Sequence, residues 1–296
     1  MQGVNFGIQP VPVAGWFQSI GGDVRNDRSG FTNIISTEAS PTCTDPTRPF
    51  VSSNTTKLDP GIVFTGLNPH FTTNPAVSNE SKANPNSWLI KDNPFTPARP
   101  NTIKTSYSYM ESTIKRTTVI KPMSEACGVP GNCELSSLPA GTHAYRSGSG
   151  INLNSYTFPA GGDYVFLING NLRINGNITV PAGTTAIFIV KGDITVDPTV
   201  TNLQGIYSAD NDFTFEKRLG PLADSALTVE GNIIANANIA PPRGVLNVER
   251  DLGTGANGNE FCPSVRVKYR PDFILNSPEI IRFSNYLIQE VAPRGN

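Results

Sequence analysis

The residues best placed to do chemistry in this chain are acidic: Asp210-Asn211-Asp212, with Asp193 and Asp197 one repeat earlier. A pair of carboxylates on one face could act as acid and base on a glycoside, or could bind a hard cation through oxygen ligands. Asp193, Asp210 and Asp212 are therefore the candidate catalytic residues and the candidate calcium ligands, and calcium is the one cofactor the sequence suggests. The simpler reading of the same residues is turn chemistry, because Asp and Asn side chains bond to nearby backbone where a chain bends sharply. That reading takes precedence here. A lyase would also need a basic residue beside the carboxylates, a place open to Arg173 or Lys191. Glycosidases resembling polygalacturonases add a Gly-His-Gly motif to an Asp pair, and this sequence has none. Its two histidines are His70 and His143, and His143 lies in Gly141-Thr142-His143-Ala144-Tyr145, which reads as a turn. Gly-x-Ser-x-Gly, Walker and Gly-x-Gly-x-x-Gly motifs are absent in the settings that would give them meaning. A non-catalytic role is favoured over an enzyme.

Other side chains suggest binding or bracing. Trp16, Trp88 and Tyr107 are candidates for stacking on sugar rings, although aromatic side chains equally fill gaps beneath long loops. Four cysteines fit an oxidising compartment. In Cys127-Gly128-Val129-Pro130-Gly131-Asn132-Cys133 the glycines and proline supply the turn that brings two cysteines within disulfide reach. Cys43 and Cys262 are then left to each other. Neither histidine stands at a spacing that would build a metal site with cysteines. Asn54, Asn79 and Asn177 begin glycosylation-like triplets, which chance supplies in an Asn- and Thr-rich chain.

What must position these residues is a ladder of short apolar strands punctuated by Gly-Asn or Gly-Asp. Val165-Phe166-Leu167-Ile168, Ile187-Phe188-Ile189-Val190, Gly205-Ile206-Tyr207 and Ala226-Leu227-Thr228-Val229 align at steps of about 20 residues. Each is followed by a turn marker, at Gly170-Asn171, Gly192-Asp193, Asp210-Asn211 and Gly231-Asn232. A second short strand comes next: Leu172-Arg173-Ile174, Ile194-Thr195-Val196, Phe213-Thr214-Phe215 and Ile233-Ile234. Alternation sends Ile, Val, Leu and Phe inward and leaves Arg173, Thr195 and Thr214 outside. Glycine at these corners is expected to supply positive φ. The pattern predicts a mainly β chain built as a parallel β-helix, a solenoid, with a β-sandwich as the alternative.

The flanks have a different texture. Residues 1–36, with Trp16-Phe17-Gln18 and Gly21-Gly22-Asp23-Val24, read as a strand or cap rung. Residues 37–150 read as a loop-rich insertion in which repeated X-Pro steps oppose helix. One short amphipathic helix is expected there, near 104–119, because Tyr107, Met110 and Ile114 recur at helical spacing. Residues 151–250 form the solenoid core. Residues 251–296 form cap or return strands, including the alternating Val265-Arg266-Val267-Lys268.

The chain is loop-rich and weakly charged, with Gly 27, Pro 25, 16% charged residues and a net charge of −1. This balance provides no basic field for nucleic acid and no polybasic membrane patch. No apolar run reaches the length of a membrane span. The opening residues lack the sections of a signal peptide, as a mature or excised fragment would.

Trp16-Phe17-Gln18 with Gly21-Gly22-Asp23-Val24, the Gly-Asn/Gly-Asp core, Tyr269-Arg270-Pro271-Asp272-Phe273-Ile274-Leu275-Asn276-Ser277-Pro278-Glu279 and Gln289-Glu290-Val291-Ala292-Pro293 together carry a resemblance. They resemble the C-terminal regions of large, uncharacterised secreted or cell-surface proteins of candidate-phyla (Patescibacteria-like) bacteria. The resemblance implies an extracellular or cell-surface setting and a β-helix-like body, and it supplies no catalytic residues. The functional expectation is a structural or adhesive surface module whose partners are copies of itself or surface polysaccharide. A carbohydrate-binding module and a polysaccharide lyase or hydrolase are the alternatives.

Overall fold

The computed structural model describes the segments 15, 17–20, 24–26, 51–52, 63–65 and 89–91, and then 105–275 apart from 115–117, 128–131, 136–137, 239–243, 255–256 and 260–261. The first described strands are β1 (Phe17–Ile20), β2 (Val24–Asn26), β3 (Val51–Ser52), β4 (Val63–Thr65) and β5 (Leu89–Lys91). Helix α1 (Tyr107–Ile114) follows, and then β6 (Ile120–Pro122) and β7 (Asn132–Cys133). The regular coils begin with β8 (Gly141–Ser147), β9 (Ile151–Leu153) and β10 (Tyr156–Thr157). The next holds β11 (Gly162–Ile168), β12 (Leu172–Ile174) and β13 (Ile178–Thr179). After them come β14 (Thr185–Val190), β15 (Ile194–Val196), β16 (Asn202–Ala209), β17 (Phe213–Phe215), β18 (Leu227–Ile234), β19 (Leu246–Val248) and β20 (Val265–Lys268). A single helical turn, α2 (Asp272–Leu275), is the last described element.

All ladders between these strands are parallel, and they form a β-solenoid of about five turns. Antiparallel hairpins, which a sandwich would need, do not build it. One wall is the long-strand sheet, ordered β3-β1-β20-β18-β16-β14-β11-β8-β6; the other is the short-strand sheet, ordered β19-β17-β15-β12-β9-β7. Ala144, Val165, Ile187, Ile206 and Asn232 stack in register, giving coil steps of 21, 22, 19 and 26 residues. The ladder therefore takes in Gly141–Ser147 as well as the segments after residue 151. The N-terminal strand β1 pairs with β20, so chain order and stacking order differ.

Parallel registration places like side chains above one another. Tyr145, Phe166, Phe188 and Tyr207 form an internal column with ring centroids 5.6, 4.8 and 4.9 Å apart. Leu172, Ile194 and Phe213 make a second apolar column, and Leu153, Ile174, Val196 and Phe215 a third; all are buried. The Arg173, Thr195 and Thr214 row faces out, as alternation requires. Outward residues of the long-strand sheet are apolar too, because helix α1 covers them. Its Tyr107, Met110 and Ile114 are buried against Ala144, Val165, Leu167, Ile187 and Ile189. The expected short helix thus exists, and its apolar stripe packs on the solenoid.

Two expectations are corrected. The fourth rung is out of the expected alignment: Gly205 pairs with Gly231 and Tyr207 with Ile233. Ile233-Ile234 therefore continue the long-strand sheet, and Leu246–Val248 takes the short-strand place beside Phe213–Phe215. Close backbone contact selects this register, since a Cβ on Gly231 would lie 1.9 Å from the Gly205 carbonyl oxygen. The second correction concerns the corners. Gly170 and Gly192 do not adopt positive φ; they are glycine because a Cβ would lie 2.3 Å from Gly150 N and 2.0 Å from Asn171 Oδ1 respectively. Closeness between coils, rather than handedness of the turn, excludes other side chains there.

The aromatic column makes one stability prediction. Phe188→Ala removes the ring that touches both Phe166 and Tyr207, and should lower unfolding free energy by about 3–5 kcal/mol in urea titration. A loss below about 1 kcal/mol would mean that the column is not a main support.

Candidate functional sites: the acidic corner and the helix-covered carboxylate

The corner between long and short strands is built from Asn171, Asp193 and Asp212 on successive coils. Each side chain accepts the backbone N–H of the coil above: Asp193 N–H to Asn171 Oδ1 at 3.0 Å, Asp212 N–H to Asp193 Oδ1 at 3.2 Å, and Val245 N–H to Asp212 Oδ1 at 2.8 Å. Sequence alone places these residues after a glycine or another turn residue; only the stacked coils provide the donor. An Asp at this position does the same work as Asn, accepting one amide.

Asp210 stands in a different environment. Its neighbours Tyr207 and Ala209 are buried in the core, and Asp210 itself points outward with Ser208 towards the start of α1. It is 3% exposed, and one carboxylate oxygen accepts the Tyr107 N–H at 3.0 Å. Ser208 Oγ donates to Thr105 O at 2.9 Å, a second pin on the same helix start. Lys191 reaches over the Tyr107 ring, with Nζ 6.0 Å from its centroid. Burial pushes the Asp210 carboxyl up to about 6, against the opposing pull of the Tyr107 amide and Lys191. The three candidate acids thus divide between a corner column and a helix contact. Among the described residues, no group of three His, Cys, Asp or Glu side chains is arranged to hold a metal ion.

Arginines organise the remaining charge. On the outer face of the short-strand sheet, Arg173 bonds both Glu216 oxygens, at 2.9 and 2.6 Å, and Asp197 Oδ2 at 3.0 Å. It serves this pair rather than Asp193. Asp197 is held below the usual carboxylate range: burial opposes ionisation, but the Thr199 amide and hydroxyl and the Arg173 guanidinium outweigh it. Arg250 is fully buried and donates to the carbonyls of Asp197 at 2.8 Å, Ser225 at 2.8 Å and Pro198 at 3.3 Å. Burial lowers its titration to about 10, with Asp224 and Asp197 pulling upward, so it stays charged at neutral pH. Arg270 brackets Asp272 through two bonds, donates to Val180 O at 2.9 Å and lies 4.2 Å from the Phe273 ring centroid. Sequence reasoning missed Arg250 and the bracing role of Arg270. Arg270-Pro271-Asp272-Phe273 did stand out as a motif, but its packing partner Val180 is 90 residues away.

The other candidates are placed as follows. Tyr107 is buried between α1, which it begins, and the long-strand sheet rather than displayed. Trp16, Trp88, Cys43, His70 and the segment 276–296 lie outside the described residues. His143 bonds Ala140 O through Nε2 at 3.0 Å. Cys127 and Cys133 form a disulfide, and both belong to the core cluster with Met123, Leu135 and Leu138 at the first coil. Cys262 is also disulfide-bonded.

No protein-family model, curated protein or solved structure matches this chain. Geometry is accordingly the basis for any functional reading.

The two arginine sites separate a buried brace from a surface ion group. Arg250→Met removes a fully buried guanidinium that donates to three part-buried carbonyls, of which that of Asp197 keeps the Val200 N–H, and should cost about 3 kcal/mol. Arg173→Met, at a half-exposed site, should cost less than about 1 kcal/mol. Parallel denaturant titrations of both variants measure the difference, and equal losses would contradict it.

Proposed function

We propose that this protein is an extracellular structural or adhesive surface module: a rigid, non-catalytic scaffold whose outer surfaces make the contacts. The single observation behind this reading is how the acidic corner is used. The residues most suggestive of catalysis, Asp193 and Asp212, each accept the backbone amide of the next coil, which is what a scaffold requires of its corners. The Cys127–Cys133 disulfide at the first coil supports an oxidising, and hence extracellular or cell-surface, location. Bracing by Arg250 and Arg270 fits a body that resists unfolding outside the cell.

Recognition of surface polysaccharide is the second reading, favoured by the outward row on the short-strand sheet. Asn152, Arg173, Thr195, Thr214 and Asn247 pair in register, offering hydrogen-bonding side chains at the roughly 4.8 Å spacing of adjacent strands. A carbohydrate lying along the solenoid axis would meet one polar side chain per coil.

Two measurements test these readings. On a broad panel of polysaccharides, the wild-type protein and an Asp193→Ala/Asp212→Ala variant should both release only background product; turnover lost in the variant would overturn the scaffold reading. On a glycan array, Thr195→Val/Thr214→Val should weaken any captured polysaccharide roughly ten-fold, the effect of losing about one net hydrogen bond. An array without hits would remove the carbohydrate reading and leave protein contact as the adhesive mode.

The disulfide carries its own prediction. Cys127→Ser/Cys133→Ser should lower stability by about 2 kcal/mol, the chain-entropy value for so short a loop. Reduction of the wild-type protein should cost at least as much in the same titration, because it also opens the disulfide of Cys262, and a reduced protein as stable as the oxidised one would argue against a bracing role.

A further inference from the structure

The geometry points to Asp210 as a proton-operated latch that holds helix α1 against the solenoid, closing most firmly in mild acid. The inference rests on which element buries the carboxylate. Asp210 directly follows β16 and meets the start of α1, which covers it, so lifting the helix returns it to water. Docking and proton binding are therefore linked: whatever α1 does to the proton affinity of Asp210, a proton on Asp210 does to α1.

Among the described residues, the groups facing Asp210 are few. From α1 come the Tyr107 amide, at 3.0 Å, and the Tyr107 ring. From the turn after β14 comes Lys191, which also lies over that ring. One helical turn further on, Glu111 is engaged by Arg146 at 2.7 Å, and this pair acts on the Tyr107 hydroxyl. The amide and Lys191 favour the carboxylate, while burial disfavours it more strongly. Beneath the helix lie Ala144, Val165, Leu167, Ile187 and Ile189, the apolar strip that release would uncover.

The direction follows from linkage. The carboxyl titrates at about 6 when covered and at its ordinary 3.8 when free. The covered state thus binds the proton more tightly, so its advantage is complete below pH 3.8 and is lost as pH rises through 6. Between pH 4 and pH 7 the docking equilibrium should move about fifty-fold towards release. The apolar contact of Tyr107, Met110 and Ile114 holds the helix in place at both ends of this range.

Hydrogen–deuterium exchange of the full chain, corrected for intrinsic rates, reads the equilibrium through the α1 amides. Protection of 110–114 should fall about fifty-fold from pH 4 to pH 7, while the amides of β11 and β14 stay level. Asp210→Asn should flatten the α1 profile and raise its protection at pH 7. A flat wild-type profile, or a slope that survives Asp210→Asn, would overturn the latch. Because that variant could fold poorly, carboxyl-carbon NMR titration of Asp210 in the wild-type chain decides independently: a midpoint near 6 supports the latch, and one near 4 rejects it.

Discussion

Everything in this molecule depends on parallel pairing between successive coils. Backbone bonds at the strand spacing force each residue to sit above its equivalent in the previous coil, so every position is a column before it is a residue. A column of like apolar side chains fills the interior without gaps. A column of Asn and Asp at a corner gives each amide an acceptor that its own coil lacks. The aromatic column from Tyr145 to Tyr207 and the corner column from Asn171 to Asp212 are two outcomes of the same constraint. One excludes water and the other satisfies polar backbone near it.

Columns must end, and the ends and flanks use different physics. At the first coil, Cys127 and Cys133 join the core cluster, so the disulfide itself is part of the apolar interior at that end. Along the flank, α1 covers the outward apolar strip of the long-strand sheet. At the last coils, Arg250 collects carbonyls from neighbouring turns and Arg270 ties Val180 to the helical turn that buries Phe273. Buried guanidinium groups suit this task because several donors in one plane can satisfy carbonyls from separate coils. This division leaves the short-strand sheet as a polar face and places the ionisable Asp210 under α1, which packs across the long strands.

Much of the solenoid was legible because a coil is a local object. Strand, glycine and second strand recur within some 20 residues, and alternation alone marks Leu172, Ile174, Ile194 and Val196 as inward. The helix was legible for the same reason, since Tyr107, Met110 and Ile114 need only its own periodicity. Legibility failed where two solutions share one composition. Ile233-Ile234 suits either wall, and the Gly205–Gly231 contact settles the choice through a distance the sequence does not contain. Gly170 and Gly192 were rightly marked, but for the wrong cause: the restriction there is an approaching atom of another coil, whereas Gly231 combines such an approach with positive φ.

The sequence by itself determined the parallel coil, its inward rows, the covering helix and the cysteine pair that could close a loop, because each depends on residues near one another in the chain. Tertiary structure alone decided that β1 stacks on β20, that Asp193 and Asp212 accept amides while Asp210 faces a helix, and that Arg250 lies buried among carbonyls. These outcomes arise from groups brought together by stacking, and the ionisation and hydrogen bonding of a carboxyl follow its spatial neighbours. Asp210 and Asp212 are two residues apart in the chain, yet the bend between β16 and β17 gives one a covered carboxyl and the other a corner bond.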